Sequence, residues 1–406
     1  MGLKQKHILV VSQYFYPEQF RINDICKEWV KRGYKVTVLT GIPNYPYGKF
    51  YDGYSFRKNR KENWNGVEII RIPLISRGQG SIKLVANYLS FVLSGFLWQC
   101  FTKVKADIVF TYEVSPMTQA LIGVWYSKKH KIPNYLYVQD LWPENVEWVT
   151  GIHSQLVIKP IEKMVQYIYR NCTEIFVTSP SFVREVCKRG AKEENVHFWP
   201  QYAEDFYKPV ENRDAINIPE LLSDSLKIVF TGNVGYAQGL DILPKVAEKL
   251  KDKNIQFVIV GDGRYKQKLI EEVNRKQVQD KFVFIPNQKP EKIPEILAVC
   301  NIAFVSFSDV EIFKKTIPAK LQSYMACGMP ILASAEGETE RIIQEADCGV
   351  SVPIGNVELL SKEILNYEKA NKNILSLQGT NSKVYFEKFF DKQKLLNDIE
   401  KYLNNN

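Results

Sequence analysis

The sequence predicts an α/β protein with two doubly wound parallel-sheet domains. Three observations support this fold class. The chain has 406 residues, which is more than one hydrophobic core usually serves, since single cores rarely grow beyond about 250–300 residues. Short apolar runs rich in Val, Ile, Phe and Tyr recur in both halves. Segments of helical period separate these runs, and the alternation predicts βα units with a parallel sheet.

The first half contains five apolar runs that we predict as strands. A predicted helix at residues 22–33 follows the first run, with Ile22, Ile25 and Trp29 on one face and Gly33 as its stop. The predicted strands are HILVVSQYF (7–15), YKVTVLTG (34–41), ADIVFTYE (106–113), NYLYVQD (134–140) and EIFVTSP (174–180).

The second half starts a new set of strands after a polar, proline-containing linker. The predicted strands are LKIVFTGNVG (226–235), IQFVIVGDG (255–263), KFVFIPN (281–287), IAFVSF (302–307), PILAS (330–334) and GVSVP (349–353). We therefore expect an N-terminal domain of residues 1–205, a C-terminal domain of residues 206–384 and a closing helix at 385–406. Ligands of such sheets bind beyond the carboxyl ends of the strands, so we expect the site in a cleft between the domains.

The net charge of +9 belongs entirely to the first half. Residues 1–205 carry nine more basic than acidic side chains, whereas residues 206–406 are balanced. A basic domain beside a neutral one indicates an anionic partner, such as nucleic acid, a phospholipid surface or a phosphorylated substrate.

Cysteine and histidine usage predicts a reducing compartment and no metal site. The seven cysteines form no CxxC pair, and the four histidines lack metal-ligand spacing. The N-terminal residues show no signal peptide pattern. We therefore expect a cytoplasmic protein that holds no metal ion.

Two glycine turns follow predicted strands in the second half. In FTGNVGYAQG the glycines are Gly232, Gly235 and Gly239, in the strand–turn–helix context where backbone N–H groups bind a phosphate. Their spacing is not the G-x-G-x-x-G fingerprint of dinucleotide sites, and a tight turn without a ligand is the alternative. In VIVGDGRY, Gly261 allows close approach and Arg264 is a candidate phosphate partner, or simply begins a solvated helix.

A lysine lies at the start of a predicted helix in IPAKLQSYMACGMPILAS. Pro318 suits the opening of a helix, and Lys320 then falls in its first turn. A cation there opposes the helix dipole unless an anion is bound. A diphosphate resolves this conflict, and a surface lysine without a ligand is the alternative.

Several of these motifs resemble those of GT-B glycosyltransferases of family 4, and the resemblance covers nearly the whole chain. It lies in GNVGYAQGLD, in IVGDGRYKQKL and in IPAKLQSYMACGMPILAS with the later GETERII and CGVSVP. SQYFYPEQFR and VQDLWPENVEW resemble the L-fucosamine transferase-like (WbuB-like) subgroup of bacterial surface-polysaccharide enzymes. The resemblance implies two Rossmann-like domains facing across a cleft, retention at the anomeric carbon and no metal ion in the catalytic site.

The resemblance also implies which residues serve the reaction. Asp140 takes the catalytic position, handling a proton or positioning a partner, and Lys320 contacts the diphosphate. Residues 286–288 meet the base, and residues 311–314 approach the sugar. The implied donor-binding residues are Gly232, Asn233, Gly235, Gln238, Gly261, Arg264, Pro286, Asn287, Glu311, Phe313, Lys314, Pro318, Lys320 and Ser323. The implied acceptor-binding residues are Tyr16, Pro17, Glu18 and Arg21.

Three positions depart from the family pattern. Lys315 and Ser323 stand where relatives carry a glutamate pair spaced E-x7-E, which weakens the expected ribose contact. Asn233 and Gln238 replace an arginine and a lysine of the first glycine loop, which leaves Lys320 as the main cation. Gln139 replaces a histidine, so Asp140 is the preferred proton-handling group, with Glu18 and Glu144 behind it.

The first half also contains an aromatic and basic loop followed by an apolar segment. Residues 42–64 mix aromatic side chains with a basic cluster at 57–61, and Ile82–Phe101 carries no charge after Lys83. The segment is nearly long enough to span a bilayer, but polar residues interrupt it. A helix in the membrane interface and a core helix both remain open. RNA binding by the loop ranks below these alternatives because no RNA-binding motif accompanies it.

The expected function is a retaining hexosyltransferase-type reaction. A sugar, such as the N-acetylated deoxyhexosamine L-FucNAc, moves from a UDP-sugar to an undecaprenyl-diphosphate-type lipid-linked acceptor in capsule, O-antigen or exopolysaccharide synthesis. We expect the protein on the inner face of the cytoplasmic membrane, bound peripherally to its anionic surface, with no cofactor and no nucleic acid partner. The alternatives are a GT-B nucleotide-sugar 2-epimerase and a catalytically degenerate nucleotide-sugar-binding protein.

Overall fold

The protein consists of two compact units, seen here in a computed structural model. The structure describes residues 5–404 except 79, 213–215, 217, 219–220, 223 and 371. The first unit comprises the described residues up to Trp199 together with those from Lys401, and the second comprises Pro200–Glu400. The change of unit therefore falls six residues before the predicted boundary, and the last turn of the chain belongs to the first unit.

The first unit is built on an eight-stranded sheet in the order β3-β4-β2-β1-β5-β6-β7-β8. The strands are β1 (His7–Val11), β2 (Lys35–Gly41), β3 (Lys61–Trp64), β4 (Val67–Ile72), β5 (Ile108–Glu113), β6 (Asn134–Val138), β7 (Glu174–Val177) and β8 (Val196–Phe198). All neighbours are parallel except β3 and β4, which form an antiparallel pair at one edge. The five predicted strands are confirmed, whereas β3, β4 and β8 were not predicted.

Helices cover this sheet as the predicted βα units require. They are α1 (Arg21–Lys31), α2 (Ser81–Phe101), α3 (Ala120–His130), α4 (Glu144–Thr150), α5 (Gln155–Arg170) and α6 (Pro180–Lys188). The predicted face of α1 is confirmed, since Ile22, Ile25 and Trp29 are buried. The Trp29 ring packs edge-on against Phe110 of β5 at 4.9 Å. This contact joins the helix to the middle of the sheet.

The second unit is built on a six-stranded sheet, parallel throughout, in the order β11-β10-β9-β12-β13-β14. The strands are β9 (Leu226–Thr231), β10 (Ile255–Val260), β11 (Phe282–Ile285), β12 (Ile302–Ser306), β13 (Ile331–Ser334) and β14 (Gly349–Val352). All six predicted strands are confirmed. The order reverses between β9 and β12, which is the point where ligands of such sheets bind.

The helices of the second unit correct one prediction. They are α7 (Ile242–Lys249), α8 (Lys266–Arg275), α9 (Ile293–Ala298), α10 (Glu311–Lys314), α11 (Ala319–Ala326), α12 (Glu338–Ala346), α13 (Val357–Lys369), α14 (Lys372–Phe389) and α15 (Lys392–Asn404). The predicted closing helix at 385–406 is wrong as a single element, because the described part of it ends one helix and begins another. The Asp391 side chain accepts a hydrogen bond from the backbone N–H of Lys394 at 2.8 Å. This N-cap contact starts α15 afresh.

Candidate functional site

The two glycine turns of the second unit pack backbone against backbone. Gly232 and Gly261 have φ values of 121° and 134°, which favour glycine. A Cβ at position 261 would lie 2.0 Å from the carbonyl oxygen of Gly232. These glycines therefore allow the loops after β9 and β10 to pack closely against each other.

Backbone donors remain available in the first of these loops. The N–H groups of Gly232 and Val234 donate to Val260 and Asp262, both at 2.9 Å. Among the described residues, the N–H groups of Asn233 and Gly235 meet no acceptor. Free backbone N–H groups after a strand are ready partners for an anion.

Lys320 lies where the sequence predicts it, in the first turn of α11. Pro318 precedes the helix with extended backbone. The Lys320 amine lies 3.7 Å from the centroid of the Phe230 ring and 3.9 Å from the ideal Cβ position of Gly232. Its hydrogen-bond partner is the side-chain oxygen of Gln238. The amine thus reaches the glycine loop from the neighbouring helix.

The environment of this amine lacks a counter-charge. No carboxylate of the described residues lies within 4.0 Å of it. Burial lowers the pKa of the Lys320 amine well below its usual value. An anion bound at this place restores the charged form, since an opposite charge nearby favours it. Gln238, one of the donor-binding residues that the family resemblance implies, accepts a hydrogen bond from the amine and holds it in position.

The residues expected near the sugar differ in how free they are to contact a ligand. Glu311 is exposed, and Phe313 stacks on Phe307 at 5.4 Å. The Lys314 amine lies 3.3 Å from a carboxylate oxygen of Glu336 and 3.6 Å from one of Asp309. Its charge is therefore already balanced by the protein.

Lys315 and Ser323 occupy the positions of the family's glutamate pair, and Ser323 is buried. The buried Ser323 donates its hydroxyl to the carbonyl oxygen of Ala319 at 3.2 Å, within its own helix. Lys315 lies 4.0 Å from the Glu311 carboxylate. A cation and a helix-bonded hydroxyl thus occupy the positions where relatives carry carboxylates.

The loop expected to meet the base is exposed. Pro286 and Asn287 follow β11 and are exposed. Arg264, which follows β10, is exposed as well. The Asn287 N–H donates to the Asp262 carboxylate at 3.2 Å. A pocket of about 280 Å³ lies beside this loop, with Phe284, Pro286 and Gln288 among its lining residues. Asp262 thereby connects the base loop to the glycine turns.

In the first unit, Asp140 follows β6 at the carboxyl edge of the sheet. Its carboxylate accepts the backbone N–H of Ser115 at 2.8 Å. The Ser115 hydroxyl in turn accepts from Trp142 at 3.0 Å and from Asn145 at 2.7 Å. Burial raises the pKa of Asp140, and the hydrogen bonds from Ser115 oppose that rise. The arrangement holds one carboxylate in a fixed orientation.

Sequence reasoning missed a second carboxyl group at this edge. Glu113 ends β5, is completely buried and lies beside the backbone of Gln139 and Asp140. Burial, followed by the charge of Asp140, raises the pKa of Glu113 well above its usual value. The signal was an acidic residue at the end of an otherwise apolar strand.

Glu144, the reserve candidate for proton transfer, is engaged elsewhere. Its carboxylate pairs with the guanidinium of Arg189, the residue that follows α6. Asp140 is the candidate whose contacts come from a hydroxyl and a backbone amide alone.

The loop after β1 carries the four expected acceptor residues. The peptide bond between Tyr16 and Pro17 is cis, and the Tyr16 ring stacks on Trp64 at 4.7 Å. Arg21 begins α1, and its Nε and Nη1 atoms are inaccessible to solvent. An acceptor in this structure would therefore meet Tyr16 more readily than Arg21.

Glu18 is bound by the protein backbone. The buried carboxylate accepts N–H groups of Asn44 at 2.7 Å, Tyr45 at 2.6 Å and Phe15 at 3.3 Å. Burial raises the pKa of Glu18 from 4.5 to about 7, although these hydrogen bonds oppose the shift. Glu18 thus joins the loops after β1 and β2.

The apolar segment Ile82–Phe101 lies within α2 and has two different faces. Asn87, Phe91, Val92, Gly95 and Gln99 face the interior. The exposed hydrophobic side chains are Ile82, Val85, Leu89, Leu93, Phe96, Leu97 and Phe101. By length and composition α2 could cross a membrane, a test that core helices of soluble proteins also pass. One face of α2 is therefore core, as the core-helix interpretation expects, whereas the membrane-interface interpretation of the exposed face stays a prediction.

Within the part of the chain that the structure describes, no three His, Cys, Asp or Glu side chains are grouped to hold a metal ion.

The fold defines the class of protein. It is similar to sucrose-phosphate synthase from Thermosynechococcus elongatus, with a TM-score of 0.77 at 14% identity over 98% of both chains. It is also similar to HepE from Anabaena, solved with UDP and glucose, with a TM-score of 0.73 at 14% identity over 98% of this chain and 99% of that one. The chain therefore has the GT-B fold of two parallel-sheet α/β domains.

The family comparisons define the activity. Residues 19–201 match the family described as "Glycosyl transferase 4-like domain", and residues 212–378 match "Glycosyl transferases group 1". WcaI of Escherichia coli (strain K12), whose name places it among colanic acid biosynthesis glycosyl transferases, is 25% identical over 97% of this chain and 99% of its own length. The chain is a glycosyltransferase with a GT4-like first domain and a group 1 second domain.

Proposed function

We propose that this glycosyltransferase moves a sugar from a UDP-sugar to a lipid-linked acceptor with retention at the anomeric carbon. The observation that carries the donor half of the proposal is the Lys320 amine. It is held by Gln238 at the glycine loop, beside the free N–H groups of Asn233 and Gly235, with no carboxylate of the described residues near it. A diphosphate supplies the missing negative charge and accepts these donors.

The choice of nucleotide rests on a structural neighbour. HepE, which shares the fold, was solved with UDP and glucose. Residues 286–288 and the pocket beside them are our candidates for the base. The exposed Glu311 and the stacked Phe313 are the candidates nearest to the sugar.

The proposed chemistry divides between the two units. The bond from the anomeric carbon to the diphosphate breaks, and Lys320 with the loop amides offsets the charge on the departing UDP. A bond to the acceptor hydroxyl forms, and Asp140 takes the hydroxyl proton. We propose that this needs no metal ion, so transfer should persist in excess EDTA.

The acceptor half of the proposal rests on the first unit. The nine excess basic side chains of residues 1–205 and the exposed face of α2 suit an anionic membrane surface carrying a lipid-linked acceptor. We therefore propose peripheral binding at the inner face of the cytoplasmic membrane. The name of WcaI supports a role in bacterial surface polysaccharide, whether capsule, O-antigen or exopolysaccharide. Transfer of L-FucNAc, as in the WbuB-like subgroup, is our proposal for the sugar.

The test is a transfer assay with separated products. The protein is incubated with a panel of UDP-sugars and vesicles that carry bacterial undecaprenyl-diphosphate-linked saccharides. We expect release of UDP with one sugar only when the lipid acceptor is present, and a glycolipid that keeps the donor's anomeric configuration. Conversion or hydrolysis without acceptor would favour the 2-epimerase. Binding without turnover would favour the degenerate binding protein, and no UDP binding would exclude a UDP-sugar as the donor.

A further inference from the structure

We propose that Arg77 and the Tyr88 hydroxyl, positioned by the buried Tyr14, form a second anion site in the first unit, and that its ligand is the diphosphate of the lipid-linked acceptor. The inference rests on the proposed function, because it supplies a place for the acceptor's charged group. None of these three residues was expected from the sequence to contact the acceptor.

The contacts of Arg77 leave most of its guanidinium unused. The backbone N–H of Arg77 donates to the Asn44 side chain at 2.8 Å, and its Nη1 donates to the Tyr14 hydroxyl at 3.2 Å. The guanidinium carbon lies 5.2 Å from the centroid of the Tyr45 ring. No carboxylate of the described residues lies within 4.0 Å of this group, and its remaining N–H groups meet no acceptor there. A half-buried guanidinium is thus held by neutral groups only.

Arg71, six residues earlier, shows how this unit balances an arginine that has a structural task. Arg71 pairs with the Glu62 carboxylate at 2.8 Å. It also donates to the carbonyl oxygens of Asn59 at 3.0 Å and Tyr16 at 2.8 Å. Arg77 has no comparable set of partners. Since a guanidinium binds phosphate oxygens in a bidentate manner, its open side suits a phosphate.

Two tyrosines border the open side of Arg77. The Tyr14 ring stacks on Phe20 at 5.3 Å, which fixes its position. Tyr88, on α2, lies close enough to Tyr14 and Arg77 to interact with both. The buried Tyr14 hydroxyl accepts from Arg77 and is hydrogen-bonded to Tyr88, so it holds the two groups together. The Tyr88 hydroxyl and the guanidinium are then the donors that face one place.

The position of this cluster fits an acceptor that sits at a membrane. Tyr88 neighbours the exposed Leu89 on α2, and its ring lies 6.4 Å from Trp142, two residues after Asp140. Asp140 is also near enough for its charge to act on the Tyr88 hydroxyl. The Arg77 cluster therefore lies between the apolar face of α2 and the proposed proton acceptor. A lipid diphosphate has the same order of groups: apolar chain, anion, reacting sugar.

The experiment compares vesicle binding by the full-length protein. Two vesicle preparations are compared, both made mainly of phosphatidylcholine. One contains a small share of undecaprenyl diphosphate, and the other contains enough phosphatidylglycerol to give the same total charge. We expect the wild type to prefer the diphosphate vesicles and Arg77→Gln to lose that preference by about tenfold or more, the change for hydrogen bonds to a charged group. Arg77→Lys should recover only part of it, because lysine lacks the bidentate fork. Arg184→Gln, at an exposed arginine of α6, is the matched charge control and should bind as the wild type does.

The outcomes separate this inference from the proposed function. UDP binding by Arg77→Gln, measured by calorimetry, should equal that of the wild type, because the proposed UDP site lies in the second unit. Should the variant be unstable, Tyr88→Phe tests the same site by removing one hydroxyl, with an expected loss of a few-fold. The Arg77 site would be overturned if Arg77→Gln and the wild type prefer the diphosphate vesicles equally. It would also be overturned if wild-type binding depends on the total vesicle charge alone. Failure of the wild type to bind UDP would instead refute the proposed function.

Discussion

At the residue scale, the site is marked by cations without counter-charges and by carboxyl groups out of water. Lys320 was predicted from the sequence because a lysine in a first helical turn opposes the dipole. Glu113 was missed because one acid at a strand end gives no spacing pattern. Arg77 was missed because the absence of a carboxylate near a side chain is a property of the folded chain.

Asp140 carries the first residue-scale prediction. Asp140→Asn keeps the shape of the side chain and the acceptor for the Ser115 N–H, but removes the base. We expect turnover to fall by about 10²-fold or more, the usual size for a lost acid–base group, with UDP affinity unchanged. The measurement is steady-state transfer of the sugar identified in the panel assay. Glu144→Gln is the control, and full turnover in Asp140→Asn would assign the proton to another group.

Glu18 carries a pH prediction. Its pKa rises from 4.5 to about 7 on folding because the carboxyl group is buried. The folded state therefore holds more protons than the unfolded state between these values. Stability should fall as pH rises through about 4.5 to 7, by roughly 3 kcal/mol from this group.

Urea unfolding at pH 5 and pH 7.5 measures this effect. The wild type should lose more stability between the two pH values than Glu18→Gln, which has no charge to bury at this position. An identical pH dependence in the two proteins would show that Glu18 does not titrate in this range.

At the element scale, the pattern of apolar residues predicted most of the strands and helices. The predicted strands of both sheets are apolar on both faces, so they are visible as runs, whereas β3 (KENW) is half-exposed and lacks such a run. The separation of α14 from α15 involves one capping residue, Asp391. The helical pattern of the sequence continues across this residue, so it does not reveal the break. For α2 the sequence left core and interface open, because only folding shows which face is covered.

The exposed face of α2 carries the next prediction. Replacing Leu89, Leu93 and Leu97 by serine should weaken binding to anionic vesicles by at least about tenfold in high salt, where the basic residues are screened. Each leucine that is fully buried contributes about 1.5–3 kcal/mol, and partial insertion contributes less. Vesicle co-sedimentation at low and high salt is the measurement. The fold should be retained, since these side chains are more than half exposed.

Two controls give this test its meaning. Ile374, Leu377 and Val384 are exposed apolar residues of the second unit, and their replacement by serine should leave vesicle binding unchanged. Phe91 is fully buried in α2, so Phe91→Ser should destabilise the fold by about 3–5 kcal/mol instead. If the α2 triple variant binds vesicles as tightly as the wild type, the membrane surface lies elsewhere.

At the scale of the whole molecule, charge and chemistry divide between the units. The first unit carries the Arg77 cluster and Asp140, and its share of the sequence holds the entire charge excess. The second carries Lys320 and the glycine turns. The tandem sheets and the glycine and lysine motifs of the second unit were sufficient to predict the class of reaction from the sequence. The sequence did not determine the sugar, because Glu311, a residue that we propose near it, is exposed and its contacts in the free protein do not define a ligand.

Calorimetric titration of UDP and UMP tests the central claim most directly. The two ligands differ by one phosphate, so their affinity ratio isolates what the diphosphate contributes. The wild type should prefer UDP, and Lys320→Ala should reduce that preference by roughly 1.5–3 kcal/mol, the range for hydrogen bonds to charged groups. Lys245→Ala, an exposed lysine of the same unit, should not change it. Equal affinities for UDP in the wild type and Lys320→Ala would contradict the account.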